Sequence, residues 1–445
     1  MTGAMTLPTG HSARSLDLIA LGECMVELRA DGPLGEAAHL TRACGGDTLN
    51  ALVSAARLGS RCGFISRVGR DPFGHGLRRA WQVEEIDVTH APLVDGENGV
   101  YFISLHADGE REFTYRRVGS AASGLSPADV DAAYLASAGT LLLSGITQAI
   151  SQTAQAATRH AARVARQVGT CVAFDPNYRL RLWADRAGER AGLDAARAAF
   201  REVLPCVDLL LPSFPADTAL LDHIPIDAPD AARAFADLGV TVALKDGPHG
   251  AWLCDPGGEP LHVPAPPVAD VLDTTGAGDA WNGAFLHALT RTQPPEQAAR
   301  AGHASAAHVI RHRGALPPPP SSHAPPPGDR MTDTVPTPPA LTLGADWSPA
   351  EPGVTRKLVA RGQQLMAMQV RFEGGARGYR HEHPHEQLTL VLSGTFEFVL
   401  DDTRHTLRAG DSLSIPGGVP HEALAVSAGE LLDMFTPVRE DLVGP

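Results

Sequence analysis

The chain has 445 residues, of which 43% are hydrophobic, 20% charged and 5% aromatic, enough apolar material for sizeable cores and too much for a disordered or fibrous protein. Its 37 Lys+Arg against 51 Asp+Glu leave a formal charge of −14 with His neutral, which excludes the broad basic surface of a nucleic-acid or anionic-membrane binder. An anionic substrate must therefore be met by a few locally placed arginines, because lysine occurs only at Lys245 and Lys357.

Residues 1–14 are polar, contain Pro8 and Gly10 and lack an apolar h-region, so they read as a disordered N-terminus rather than a signal peptide. The six cysteines, Cys24, Cys44, Cys62, Cys171, Cys206 and Cys254, form no CxxC pair, which fits reduced thiols in a cytoplasm. No apolar run approaches the ~20 residues that cross a bilayer. A soluble, cytoplasmic protein without membrane or nucleic-acid partners is expected.

From residue 15 to 316, β-rich runs at Leu16–Leu21, Cys62–Arg67, Thr140–Leu143, Cys171–Phe174, Val207–Leu211 and Val240–Leu244 alternate with helical stretches at Leu49–Leu58, Gly76–Glu85 and Ala191–Val203. Such alternation predicts βαβ units and a mostly parallel sheet covered on both faces. Val100–His106 and Arg111–Arg117 break the pattern. They flank Ala107-Asp108-Gly109-Glu110, and Asp-Gly favours a tight hairpin turn. A hairpin without a covering helix either lies over a cleft as a lid or pairs with another subunit of a homo-oligomer.

Two motifs in this piece carry chemistry. Asp273-Thr274-Thr275-Gly276-Ala277-Gly278-Asp279 precedes an apolar helical stretch, Ala284–Leu289. Glycines at a helix start let backbone N–H groups converge on an anion where the helix dipole is positive. Asp279 in that first turn can accept the proton of a hydroxyl attacking a phosphoryl group. Its bland alternative is dipole complementation, with Thr275 as the cap. The second motif is Gly45-Gly46-Asp47-Thr48-Leu49-Asn50.

Together these two motifs resemble the ribokinase/PfkB family of sugar kinases. Gly22-Glu23-Cys24-Met25-Val26-Glu27-Leu28, the Asp of the second motif, and Phe174-Asp175-Pro176-Asn177-Tyr178-Arg179 are more similar to the 2-keto-3-deoxygluconate kinases within it. The resemblance implies a Rossmann-like sheet with a small β lid, an ATP and Mg²⁺ requirement, and Asp279 as catalytic base. It makes Gly276, Ala277 and Gly278 the anion hole and brings Lys245 and Gly247 to the nucleotide. Asp47 and Asn50 would bind sugar hydroxyls, with Gly45 and Gly46 allowing close approach and Tyr101 a lid contact. Arg117, next to the competing Arg116, and Arg179 would meet a sugar-acid carboxylate or the phosphates, since guanidinium offers a planar fork of donors. One departure is Pro212-Ser213-Phe214-Pro215, where many relatives carry an Asn-Glu pair that helps order Mg²⁺. A fructokinase- or ribokinase-type substrate is the alternative.

Residues 317–340 are too rich in proline for helix or sheet and read as a semi-rigid linker. Beyond it, from 341 to 445, strand-like runs follow one another: Arg356–Val359, Leu365–Phe372, Leu388–Leu392, Phe396–Leu400, Ser412–Ile415, Glu422–Val426 and Leu431–Phe435. Many short strands in series predict a small all-β sandwich or barrel. His381-Glu382-His383-Pro384-His385-Glu386-Gln387 and the later His421 offer imidazoles and a carbonyl oxygen for Zn, Ni, Fe or Mn. Strand parity puts His381, His383 and Gln387 on one side, and His385 shares it, so which three histidines bind is open. The histidine-rich run followed by Gly410-x5-Pro416-x-Gly418-x2-His421 resembles the cupin signature, with Gln387 where Glu is usual. With Asp433-x-Phe435-x-Pro437-x-Arg439 they look like KdgF-type cupins, which open and ketonise unsaturated uronates. That likeness implies Asp433 as acid/base, Arg439 on the uronate carboxylate and Phe435 in the pocket wall. A sugar-binding or oligomerisation module is the alternative for this piece.

Overall fold

The computed structural model describes residues 14–30, 32–37, 39–105, 111–317, 347–361, 365–401 and 403–442. The expected Asp-Gly turn at 107–110, residues 1–13 and the linker from 318 onward lie outside them. The chain divides into two compact units, Met1–Ala324 and Pro325–Pro445, each described by itself.

The first unit is built on an eight-stranded sheet. In spatial order its strands are Leu261–Val263, Ala251–Cys254, Thr241–Lys245, Leu209–Leu210, Cys171–Asp175, Ala138–Ser144, Leu16–Leu21 and Cys62–Ile65. The six from Thr241–Lys245 to Cys62–Ile65 pair in parallel, and the two outer strands are antiparallel. Side chains of a strand alternate between faces, so Ile19 and Leu21 enter one core while Leu18 and Ala20 enter the other. Helices Gln152–Gln167, Glu189–Val203 and Ala228–Ala236 cover the first face. Asp47–Arg57, Ala277–Thr290 and Pro295–Val309 cover the second. This is why the buried strands read as continuous apolar runs. The expected strand at 207–211 is reduced to Leu209–Leu210, because Leu204–Cys206 closes the preceding helix as a 3₁₀ turn.

A second, four-stranded sheet runs Thr41–Gly45, Met25–Arg29, Val100–Leu105, Arg111–Arg116. It contains the expected hairpin together with two strands that the sequence pattern did not single out. Met25, Tyr101 and Ile103 bury one of its faces with Phe113.

The second unit is an eight-stranded antiparallel sheet rolled on itself. Here the structure corrects two expected breaks. Glu386–Leu400 is one strand, and so is His421–Thr436. Ser393-Gly394 is not a turn but a bulge: the register slips between Val391 and Phe396, with Gly394 at φ 86° facing Ala428 and Gly429. A bulge lets one long strand bend and continue pairing. Among the described residues, no helix is long and apolar enough to cross a membrane.

Candidate functional site

The parallel strands end in a cluster of buried polar groups. Asp175, last residue of its strand, accepts from Lys245 Nζ at 3.0 Å and from Asn282 Nδ2 at 2.6 Å, while Lys245 Nζ also donates to Asn282 Oδ1 at 2.9 Å. Lys245 is thus a buried network member, paired with Asp175, rather than a free cation for nucleotide phosphates. Gly247, at φ 52°, opens the adjoining 3₁₀ turn. An aspartate at the carboxyl end of a buried parallel strand was the available sequence signal for Asp175.

Asp279 lies next to this network, on the first turn of Ala277–Thr290. Asn50 Nδ2, from the facing helix, donates to its Oδ2 at 2.8 Å. Burial, reinforced by the negative charges of Asp47 and Asp175, pushes its carboxyl up to about 7, against the opposing effects of Asn50 and Lys245. Carboxyls set near the working pH are suited to proton acceptance. The turn before it is held by Asp273, whose Oδ1 accepts from Thr275 N at 3.0 Å and Oδ2 from Gly314 N at 2.7 Å. Gly276 caps the helix at φ 77°, and a Cβ there would stand 2.7 Å from the Ala315 Cβ. The space about Gly278 is open, so the N–H groups of Gly276 and Gly278 can face an anion, whereas the Ala277 N–H, expected to join them, donates to the Thr274 carbonyl at 3.2 Å. Gly276→Ala is expected to destabilise the unit by more than ~1 kcal/mol, since both conformation and space oppose it, and to lower kcat. Denaturant midpoints and initial rates would check both.

Asp47 is the first residue of Asp47–Arg57 rather than its cap, which is Gly46. Its Oδ2 accepts from the Ser144 hydroxyl and from Asn177 Nδ2 at 3.2 Å, while Oδ1 is buried with no partner among the described residues. Burial raises its pKa, with the charge of Asp175 adding and that of Arg179 opposing. Arg179 itself is exposed, at the start of Leu180–Ala187.

Gly45 and Gly46 lack side chains for reasons internal to the fold. A Cβ on Gly45 would meet the Tyr101 hydroxyl at 2.6 Å, and one on Gly46 the Glu23 carbonyl oxygen at 2.0 Å. Tyr101 is likewise engaged: its hydroxyl donates to Glu27, and its ring stacks on Tyr115. Arg117 rather than the exposed Arg116 turns inward. It donates from Nη1 to Glu23 Oε1 at 2.6 Å and lies 4.5 Å from the centre of the Tyr115 ring. Glu23, 1% exposed, carries a second oxygen with no partner among the described residues, and its pKa is raised by burial. Pro212–Pro215 leads to Asp217, whose two oxygens accept from Tyr178 N at 2.7 Å and Ser213 N at 2.6 Å. That carboxylate is committed to backbone.

In the second unit, cross-strand register builds the site. His381 pairs with His421, Thr389 with Asp433 and Gln387 with Phe435. His383 corrects the parity argument: it lies in the bend 382–385, beyond the strand Arg377–His381. The bend still brings it in, and donor atoms of His381, His383 and His421 all lie within 4.8 Å of one another. His385 falls outside this cluster. It supplies instead the carbonyl 3.0 Å from His383 Nδ1, as Tyr379 does for His381 at 2.8 Å and Val419 for His421 at 2.8 Å.

Each of those three carbonyls accepts a hydrogen bond from an Nδ1–H, leaving every neutral ring a lone pair on Nε2. His421 Nε2 is buried with no partner among the described residues. His383 Nε2 stands 3.0 Å from Gln387 Oε1, while Gln387 Nε2 donates to Thr389 Oγ1 at 2.9 Å and Thr389 donates to Asp433 Oδ1 at 2.6 Å. Two acceptors therefore face each other with no proton between them, an arrangement that a cation resolves. The donor set, three imidazoles and an amide oxygen, fits a divalent transition metal. Burial depresses His421 to about 4, which keeps it a neutral ligand. Burial also raises Asp433 to about 6 despite its Thr389 and Gln387 hydrogen bonds. Asp433, His381, Gln387, His421 and Phe435 line one cavity of about 300 Å³. Arg439 lines it too, but its Nε and Nη2 are held by Asp441 at 3.0 and 2.6 Å.

Residues 15–322 match the family model described as pfkB family carbohydrate kinase, and residues 368–435 match the Cupin domain. The 2-dehydro-3-deoxygluconokinase of Thermoproteus tenax is 36% identical over 314 residues, 68% of this chain and 92% of that protein. The enzyme of the same name from Dickeya dadantii is 32% identical over 67% of this chain and 96% of its own. The crystal structure of a PfkB protein from Polaromonas sp. JS666 superposes with a TM-score of 0.60 at 31% identity, over 67% of this chain and 96% of that one.

Proposed function

The chain belongs to the pfkB family of carbohydrate kinases, and from that premise we propose that its first unit transfers the γ-phosphoryl group of ATP to 2-keto-3-deoxygluconate, giving 2-keto-3-deoxy-6-phosphogluconate. One observation carries the phosphoryl-transfer reading: a buried carboxyl, Asp279, is set near neutral pH directly behind an open glycine turn at a helix start. Asp279 takes the proton of the attacking hydroxyl. The N–H groups of Gly276 and Gly278 meet the charge on the transferred group. Mg²⁺ bound with ATP would supply positive charge against the phosphate oxygens. Asp47 and Asn50 orient the sugar hydroxyls. The relatives' names and the inward guanidinium of Arg117 favour a sugar acid, with Arg179 at its rim.

A kinase assay on 2-keto-3-deoxygluconate, fructose and ribose tests the substrate. Arg117→Ala is expected to raise KM for the sugar acid about 10- to 100-fold, the usual range for losing a charge-assisted contact. The Glu23 ion pair is the observation on the other side. Unchanged KM would make Arg117 a lid strut and support the fructokinase-type reading.

For the second unit we propose a metal-dependent cupin that linearises and ketonises unsaturated uronates. His381, His383, Gln387 and His421 would hold the ion, which supplies a Lewis acid when bound. Asp433, positioned by Thr389, moves the proton of the enol-to-keto step, and Arg439 with Phe435 contacts the substrate. Turnover of unsaturated galacturonate by the full chain, lost in Asp433→Asn, would support this. Tight binding without turnover would instead make the unit a sensor. Residues 317–340 serve as linker between units 15–316 and 341–445 of a cytoplasmic homo-oligomer.

A further inference from the structure

The cupin cavity contains a second arginine to which neither the motifs nor the comparisons assign a role. Arg356 lies on the strand Val354–Arg361, between Val354 and Leu358, both of which pack inward. Alternation therefore turns Arg356 inward as well. Across the pair it faces Val370, and it lines the same cavity as His381, Gln387, His421, Asp433 and Arg439. Charged groups inside a barrel are normally paired, because desolvation otherwise opposes them. Arg356 has no hydrogen bond or ion pair from its side chain among the described residues. The acid lining the cavity on the neighbouring strand, Glu351, accepts instead from Tyr379 N at 3.3 Å. Arg439, by contrast, has the Nε–Nη2 edge of its guanidinium closed by Asp441.

We propose that Arg356 is the carboxylate anchor of the cupin site. It would bind the carboxylate of a uronate whose ring oxygens face the histidine cluster, leaving Arg439 as a wall residue stacked near Phe435. An unpaired guanidinium in a cavity retains its full fork of donors, and a carboxylate matches that fork bidentately. This rests on the uronate reading of the second unit and names the group that selects the acid.

The test uses the full-length, metal-loaded protein with unsaturated galacturonate and its neutral methyl ester. Wild type should prefer the acid. Arg356→Met, which retains the aliphatic bulk, should raise KM for the acid about 10- to 100-fold, leave kcat and metal content near wild type, and erase the acid-over-ester preference. Arg356→Lys should recover part of it. An unchanged preference in Arg356→Met, or its loss in Arg439→Met alone, overturns the assignment. If wild type turns over neither compound, the catalytic reading falls, and calorimetry with saturated D-galacturonate decides this one separately. Weaker binding to Arg356→Met than to wild type sustains the anchor, whereas equal binding, or none to either, refutes it.

Discussion

Asp279→Asn is expected to lower kcat for sugar phosphorylation by about 10³-fold, within the range for removing a general base, while the affinity for ATP changes little. The amide keeps the shape of the carboxyl and its contact with Asn50 but cannot accept a proton. The pH profile makes the prediction sharper. Because the folded carboxyl is pushed up to about 7, kcat/KM in wild type should fall about tenfold per unit below that pH and level off above it. Stability runs the opposite way. A carboxyl whose folded pKa lies above its unfolded value favours the folded state at low pH, and that contribution is lost as pH rises from the unfolded value near 4 through about 7. Asp279→Asn should therefore be at least as stable as wild type at pH 8, because it removes a buried negative charge beside Asp47 and Asp175. Initial rates from pH 5 to 9 and thermal melts at pH 5 and 8 measure both. A variant with near-normal turnover would remove Asp279 from the chemistry.

His421→Ala should abolish metal retention by the second unit, with an affinity loss beyond the ~10–100-fold that follows from altering an outer partner of a metal ligand. Its imidazole comes from a different strand than His381 and Gln387, and its Nε2 is buried with nothing else to accept. Removing it opens one corner of a set whose donor atoms otherwise lie within 4.8 Å. His385→Ala is the informative control. That ring stands outside the cluster: it meets the His383 ring edge-on at 5.8 Å between centroids, while its hydrogen bond to the cluster comes from a backbone carbonyl that alanine preserves. Elemental analysis after dialysis should show wild-type metal in His385→Ala and none in His421→Ala. Equal metal in all three proteins would refute the ligand set. Kinase activity should be untouched in both.

Much of this architecture was legible one element at a time. Apolar runs separated by helical periods announced a parallel sheet, and Leu16–Leu21, Cys62–Arg67 and Val240–Leu244 fall on observed strands within a residue or two. Local chemistry was also readable: a glycine turn opening a helix with Asp279 behind it, and a histidine-rich bend followed by His421. What stayed hidden were contacts made only once the chain is folded, most of them between segments far apart in sequence. Ser393-Gly394 looks locally like a turn, and only pairing with His421–Thr436 makes it a bulge. His383 reaches its cluster by a bend that strand parity does not describe. The family resemblance places Lys245, Arg117 and Arg439 on ligands. Each instead meets a carboxylate: Asp175, 70 residues away, Glu23, 94 away, and Asp441, only two positions on.

The physical reason is one of range. Backbone propensity and side-chain periodicity act over a turn or two, so residue order by itself determined the element types, the two-part organisation and the kinds of chemistry carried. Whether a charged side chain faces substrate or a partner depends on desolvation and on what the fold brings within ~4 Å, and tertiary structure alone decided that. Arg356, unremarked in the sequence and without a side-chain partner among the described residues, is where that difference has the largest consequence.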